Sequence, residues 1–278
     1  MNYRHSYHAG NFADVFKHII LIAVSNALAR KESPYCYLDT HAGIGYYDLL
    51  SNSAQKSKEY VNGILKIMNE PNPPKLVQQY IDCIKAINPD GIDPLRYYPG
   101  SPYIARHFLR AQDRAVLTEL HDDDYPILKD TFHHDKQVAV HHQDGYQALK
   151  AFLPPKERRG FILIDPPYEV QDELMQVGSK MATALARFET GVFMLWYPIK
   201  ERRAIDRFHH SLKDKIKRPI LIAELSVHPE NVPTHLNGSG LAIVNPPWQL
   251  DKAIAEVLPW LWRVLSENKQ GRHEIKTL

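Results

Sequence analysis

Phe161-Ile162-Leu163-Ile164-Asp165-Pro166-Pro167-Tyr168 reads as a buried strand that stops abruptly at a sheet edge. A short apolar run bounded by polar residues suits a strand covered on both faces. Two consecutive prolines, lacking the N–H that a ladder needs, end it and hold the backbone rigid. An Asp carboxylate, the Pro166 carbonyl and the Tyr168 ring then stand within one tetrapeptide. Together they suit a planar base with an exocyclic amino group: two acceptors for its N–H bonds and an aromatic face for its ring. A second stretch, Gly240-Leu241-Ala242-Ile243-Val244 running into Asn245-Pro246-Pro247-Trp248, has the same form. Only one of the two can be the working loop of a single domain.

Working outward, strands are predicted at 35–39, 115–119, 137–140, 161–165, 191–197, 220–225 and 241–244, with helical segments between most of them. This alternation argues for a mostly parallel sheet with helices on both faces. The last two strands are joined by a Pro/Asn/Gly-rich stretch without helical pattern, so an antiparallel final pair is expected. The fold class is therefore α/β: a class I (Rossmann-like) methyltransferase-type domain with a seven-stranded sheet. From Gly45 to Glu119 the interval is too long for one strand–helix–strand unit, which takes about 30 residues. The excess carries helical periodicity around Pro71-Asn72-Pro73-Pro74. Residues 47–96 are accordingly read as an inserted helical subdomain, with 1–46 and 97–278 forming the main domain. Insertions of this kind commonly shape substrate access.

The 278 residues are 44% hydrophobic and 24% charged, ordinary values for a soluble globular chain. No run approaches the roughly 18 consecutive apolar residues of a bilayer span, and the start lacks the apolar core of a signal peptide. The two cysteines, Cys36 and Cys83, are expected as buried thiols of a cytoplasmic protein. Net charge is only +2, but basic residues cluster at 156–159, 200–207 and 213–218. Such clusters are solvated helix faces or phosphate contacts. The 15 histidines occur partly as adjacent pairs with no metal-ligand spacing, so no metal site is expected.

The first strand ends Asp39-Thr40-His41-Ala42-Gly43-Ile44-Gly45, where glycines permit close backbone approach to a ligand. Glu119 ends the second strand, placed to accept hydrogen bonds from ribose hydroxyls. Asp144-Gly145 follows the third and offers an acceptor for an adenine amino group. Each alone is an ordinary turn residue; three at successive strand ends fit S-adenosylmethionine. Pro99-Gly100-Ser101-Pro102 marks a helix start with Ser101 as N-cap and Pro102 first in the helix. The same order ranks the two Pro-Pro loops. Asp165 follows the fourth strand, directly after the Asp144 loop, where a substrate loop belongs. Asn245 follows the last strand and is read as an edge-strand terminus. Residues 3–18 concentrate aromatics, His, Arg and Lys, either as a stacking and phosphate-contact arm or as a tail covering the core.

These motifs resemble the RlmJ family of bacterial 23S rRNA adenine-N6 methyltransferases over nearly the whole chain. The most specific are the Tyr3-Arg4-His5-Ser6-Tyr7-His8-Ala9-Gly10-Asn11 start, Leu38-Asp39-Thr40-His41-Ala42-Gly43, Tyr97-Tyr98-Pro99-Gly100-Ser101-Pro102, Leu117-Thr118-Glu119-Leu120-His121 and Leu163-Ile164-Asp165-Pro166-Pro167-Tyr168-Glu169. The resemblance implies S-adenosylmethionine contacts at His18, His41, Ser101, Glu119, Asp144, Gly145 and Asp165. It also implies a catalytic role for Asp165 and an RNA contact at Tyr3, beside the base contacts read above for Pro166 and Tyr168. The implied partner is 23S rRNA, with no membrane and a monomeric enzyme. Alternatives using the same tetrapeptide are an adenine-N6 DNA methyltransferase and a protein glutamine methyltransferase. A non-catalytic RNA-binding protein on the same fold is a further one.

Overall fold

The computed structural model describes residues 4–169, 172–229, 236–267 and 269–278. In chain order the first elements are α1 (Phe12–Ala29), β1 (Cys36–Asp39), β2 (Tyr46–Asp48), α2 (Asn52–Ser57), α3 (Ile64–Asn69), α4 (Lys75–Ala86) and β3 (Tyr97–Pro99). There follow α5 (Ser101–Phe108), β4 (Arg114–Glu119), α6 (Asp124–Phe132), β5 (Val138–His142), α7 (Gly145–Ala151), β6 (Gly160–Ile164) and α8 (Glu173–Arg187). The chain closes with β7 (Val192–Ile199), α9 (Arg202–Lys215), β8 (Ile220–Ser226), β9 (Gly238–Val244), α10 (Leu250–Leu265) and β10 (Arg272–Thr277).

The main sheet has eight strands in the order β10-β8-β9-β7-β6-β1-β4-β5. Strands β5, β4, β1, β6 and β7 are mutually parallel. Strand β9 runs antiparallel to both neighbours, and β10 antiparallel to β8. The seven expected strands and the antiparallel final pair are present. The eighth, β10, is polar and half-exposed (Arg272-His273-Glu274-Ile275-Lys276-Thr277), so it carries no apolar run to announce it.

The β6 run shows why this chain builds a two-faced layer. Phe161 and Leu163 join the core beneath α1, α5 and α10, while Ile162 and Ile164 join the opposite core beneath α7, α8 and α9. All four are fully buried. Each such side chain contributes about 1.5–3 kcal/mol relative to an exposed one, so a polar substitution on either face is costly.

Helix α1 starts where the Asn11 side chain accepts the Asp14 N–H (2.9 Å), an N-cap that ends the preceding turn. By length and composition α1 is apolar enough to cross a bilayer, yet 78% of it is buried inside the fold. Here it is a core helix. Between β1 and α5, the β2–β3 ribbon closes the base of a segment holding α2, α3 and α4. Ile64, Ile67, Tyr80 and Ile84 of this segment pack into the same core as α1.

The Asn245-Pro246-Pro247-Trp248 stretch is not at a sheet edge. Strand β9 lies between β7 and β8, with Val244 opposite Phe193. Because β9 is antiparallel, its end lies beside the start of β7, at the amino ends of the parallel strands, whereas Asp165 lies at their carboxyl ends. The prolines are tolerated because they lie beyond the last paired residue. Asn245 makes the final contact, its N–H donating to the Pro219 carbonyl (3.0 Å).

Candidate active site

Successive strands run outward from β1 in one direction through β4 to β5, and in the other from β6 to β7. The crevice at the carboxyl ends of β1 and β6 is therefore the topological switch point, where open α/β sheets bind ligands. The Thr40 N–H (3.1 Å) and hydroxyl (3.0 Å) both donate to the Leu163 carbonyl, tying the two strand ends together.

On the β1 side the backbone is shaped for close approach. Gly43 and Gly45 have φ of +62° and +92°, a region costly for residues with a Cβ. A Cβ on Gly145 would lie 2.1 Å from the Thr40 carbonyl oxygen, so the α7 start rests directly on the first loop. The Asp144 side chain caps α7, with Oδ1 accepting the Gln147 N–H (2.8 Å). Glu119 accepts the Gly43 N–H (2.8 Å) and the His121 N–H (2.8 Å). Burial pushes the Glu119 carboxyl up from its ordinary value, against the pull of these backbone donors.

His41 is half-buried. Its Nδ1 lies 2.8 Å from the Thr40 hydroxyl, and its ring meets that of Tyr146 edge-on at 5.4 Å. Burial lowers it to about 4, so it is neutral at physiological pH. His18 lies deeper, with Nδ1 2.9 Å from the Tyr98 hydroxyl, which in turn meets the Tyr80 hydroxyl at 2.7 Å. Burial lowers His18 to about 3.

Ser101 is the first residue of α5 rather than its cap; Gly100 takes the cap position with an extended backbone. The reason is a stronger partner: the Ser101 hydroxyl donates to Asp39 Oδ2 (2.7 Å). Asp39, which the sequence pattern did not single out, is fully buried and also accepts from the Tyr37 hydroxyl (2.7 Å) and, more weakly, the His41 N–H (3.3 Å). Burial raises it to about 6, against the two hydroxyl donors. It links β1, the His41 loop and α5.

The β6 side carries an ion-pair network that the sequence also concealed. Lys17, in the first half of α1, reaches Asp14 Oδ1 (2.9 Å) and Asp165 Oδ2 (2.6 Å). Asp14 further accepts the Gly10 N–H (3.1 Å) and lies 2.9 Å from His5 Nε2. The cations around Asp14 hold its carboxyl well below the usual range despite its burial. The two carboxylates raise the Lys17 ammonium although burial opposes this. A lysine inside an apolar helix, three residues after an acid, was the available signal.

Tyr168 has φ of +53°. Its hydroxyl donates to the Trp196 carbonyl at 2.5 Å, and the two rings lie 5.6 Å apart. Lys17 Nζ sits 5.9 Å from the Trp196 ring centre, within cation–π range. The structure thus brings His41, Ser101, Glu119, Asp144, Gly145, Asp165, Pro166 and Tyr168 to one edge of the sheet, with His18 behind them. Tyr3 lies outside the described residues. The arm that follows it is tied down: Arg4 pairs with Asp123 (2.6 Å) and Asp124 (3.0 Å) beyond β4.

Two residues of the basic clusters, read as solvated faces or phosphate contacts, serve the fold. Arg202 forms a bidentate pair with buried Glu224 (2.6 and 2.9 Å), and Arg159 donates to the Leu28 carbonyl (3.0 Å). No cluster of three or more metal-ligating side chains occurs among the described residues.

Residues 32–277 match the family model described as "Ribosomal RNA large subunit methyltransferase D, RlmJ". The chain belongs to that family. It is 46% identical to Ribosomal RNA large subunit methyltransferase J of Escherichia coli K12, over 94% of this chain and 92% of that one. Identity to the Haemophilus influenzae protein of the same name is 45%, over 98% and 96% of the two chains. A crystal structure of a Legionella pneumophila protein, 37% identical, superposes with a TM-score of 0.86 over 98% of both chains. The fold is that of a class I methyltransferase, and S-adenosylmethionine is the cofactor. The crevice suits that cofactor chemically: an acid ending β4, a carboxylate at the start of α7, and glycines leaving the backbone bare.

Proposed function

We propose that the protein methylates N6 of an adenine in 23S rRNA, adenine 2030 by the family resemblance. The observation that carries this reading is the place of Asp165-Pro166-Pro167-Tyr168, at the switch-point crevice with one Asp165 oxygen already clamped by Lys17. Glu119 would hold the ribose hydroxyls and Asp144 the adenine amino group, with Gly145 and the Gly43 loop close against the ligand. His18, His41 and Ser101 would complete that side, the last through its link to Asp39. When bound, S-adenosylmethionine supplies an electrophilic methyl on a cationic sulfur.

The chain's own residues supply the rest. Lys17 fixes Asp165 through Oδ2, leaving Oδ1 to accept one N6–H, while the rigid Pro166 carbonyl accepts the other. Both acceptors draw the N6 lone pair out of conjugation and stabilise the charge that develops there. Positioned groups of this kind are worth about 2.7–4 kcal/mol each by deletion. The N6 proton leaves after transfer, with Asp165 Oδ1 as its nearest acceptor. Tyr168, its hydroxyl anchored on the Trp196 carbonyl, offers a fixed ring for stacking. The adenine has to leave its stack to reach this loop, which favours a loop or single-stranded target. We further assign residues 47–96 as an inserted helical subdomain bordering the substrate side, and Tyr3 as an RNA contact.

Incubation with labelled S-adenosylmethionine and, separately, naked rRNA, duplex DNA and ribosomal protein tests the reading. Label should enter rRNA at N6 of a single adenine. Label in DNA or protein alone would overturn it.

A further inference from the structure

The lower ends of α1, α4 and α10 enclose a cavity of about 400 Å³ that the proposed chemistry does not use. It lies toward the far end of α1 from Lys17, its Ala23, Asn26 and Arg30 walls about 9–20 Å along the helix at roughly 1.5 Å per residue. Leu76 and Val257 give it an apolar wall, and Arg30 and Lys75 supply two cations. Glu256 is its one acid among the described lining residues. Across it, the Asn26 amide donates to Gln79 Oε1 (2.9 Å). That bond leaves Asn26 Oδ1 as an acceptor and the two Gln79 Nε2 hydrogens as donors, the complement of a base edge.

Arg30 also connects this cavity to the Pro-Pro loop that is not catalytic, through a long hydrogen bond to the Trp248 carbonyl (3.4 Å). Trp248 is 80% exposed, the most exposed large hydrophobic side chain described. Its presentation is enforced. Asn245 and Gln249 on either side have φ of +53° and +63°, and the Asn245 amide donates to the Glu189 and Gly191 carbonyls, both at 2.8 Å. Left-handed residues cost of order 1 kcal/mol each and persist where surroundings over-determine them. A solvent-facing indole on a constrained loop beside two cations is how single-stranded nucleic acid is bound: bases stack on the aromatic ring and phosphates meet the charges.

We propose that this cavity and Trp248 form a second nucleotide site, which takes an unpaired segment of the RNA substrate. One base enters the cavity against the Asn26–Gln79 pair, its neighbour stacks on Trp248, and Arg30 and Lys75 hold the phosphates. The RNA assignment rests on the function proposed above; the nucleotide chemistry rests on the cavity alone.

The test is binding of a short, adenine-free oligouridylate to the full chain, which cannot report on an adenine pocket. Trp248→Leu should weaken binding about fivefold or more, the lower end for loss of one stacked base. The double variant R30Q K75Q should lower the log–log salt slope by about 1.4, at roughly 0.7 per single-strand phosphate contact. Methyl transfer to a minimal RNA carrying the target adenine should stay within twofold in both variants. Unchanged affinity and salt slope would overturn the site. Uridine monophosphate binding as tightly as the oligomer would overturn the RNA assignment. Oligomer binding that depends on these residues supports the site whether or not the wild type methylates rRNA, so the two proposals fail separately.

Discussion

Lys17→Met tests the buried charge network most directly. Lys17 is 5% exposed and Asp14 2% exposed, so removing the ammonium leaves a carboxylate in low dielectric with fewer partners. Breaking a buried pair from one side costs about 3–5 kcal/mol. Asp14 keeps the Gly10 N–H and His5, and Asp165 is less buried, so the lower end applies. At about 2–4 °C per kcal/mol, the midpoint of thermal unfolding should fall by about 6–12 °C. Asp14→Asn should cost a similar amount, because it strands the ammonium. The double variant removes both charges and should fall little further than either single one, with a coupling of about 2 kcal/mol or more. The acid dependence follows from the carboxylate. The Asp14 pKa is depressed in the fold, so its contribution is present above the unfolded value near 3.8 and lost as pH falls toward the folded one. The gap between wild type and Asp14→Asn should therefore be constant at neutral pH and shrink below about pH 4. Thermal unfolding of the three variants across pH measures all of this. Additive losses in the double variant, or a gap that widens in acid, would refute the network.

Other outcomes are equally specific. Asp165→Ala should lower kcat for methyl transfer by about 10²–10³-fold, as read in single-turnover assays with rRNA. Glu119→Gln should weaken S-adenosylmethionine binding about tenfold by calorimetry, since a neutral amide accepts ribose hydroxyls less well than a carboxylate. Because burial raises the Glu119 pKa, wild-type affinity should begin to fall at a higher pH than for an exposed Glu as the solution is acidified. Gly145→Ala places a methyl group 2.1 Å from the Thr40 carbonyl. It should displace the first loop, lowering the unfolding midpoint by several degrees and weakening cofactor binding together, whereas Gly91→Ala meets no atom within 4 Å and should leave cofactor binding unchanged.

Much of the architecture is readable from local pattern. The apolar runs of β1, β4, β6, β7, β8 and β9 are short and bounded by turn residues, and helices separate most of them. That regularity follows from burial on both faces, which forces continuous apolar stretches. Strand β10 escaped notice because an antiparallel edge strand needs no apolar run: its pairing with β8 is made by backbone groups. Ser101 was misplaced by one position because local capping chemistry cannot foresee a competing buried carboxylate from β1.

Sequence order alone ranked the two Pro-Pro loops, since Asp165 follows the fourth strand and Asn245 the last, and it marked Glu119, Asp144 and the glycine loop as candidate ligand contacts, which the fold brings to one crevice. It placed Asn245 at an edge, whereas strand order in space puts β9 in the interior and reversed, which sends Trp248 to the opposite end of the molecule. The union of Asp14, Lys17 and Asp165 likewise belongs to tertiary structure. Lys17 and Asp165 are separated by 148 positions. No periodicity or spacing connects residues so distant; only packing α1 against the sheet brings a buried ammonium within reach of both carboxylates.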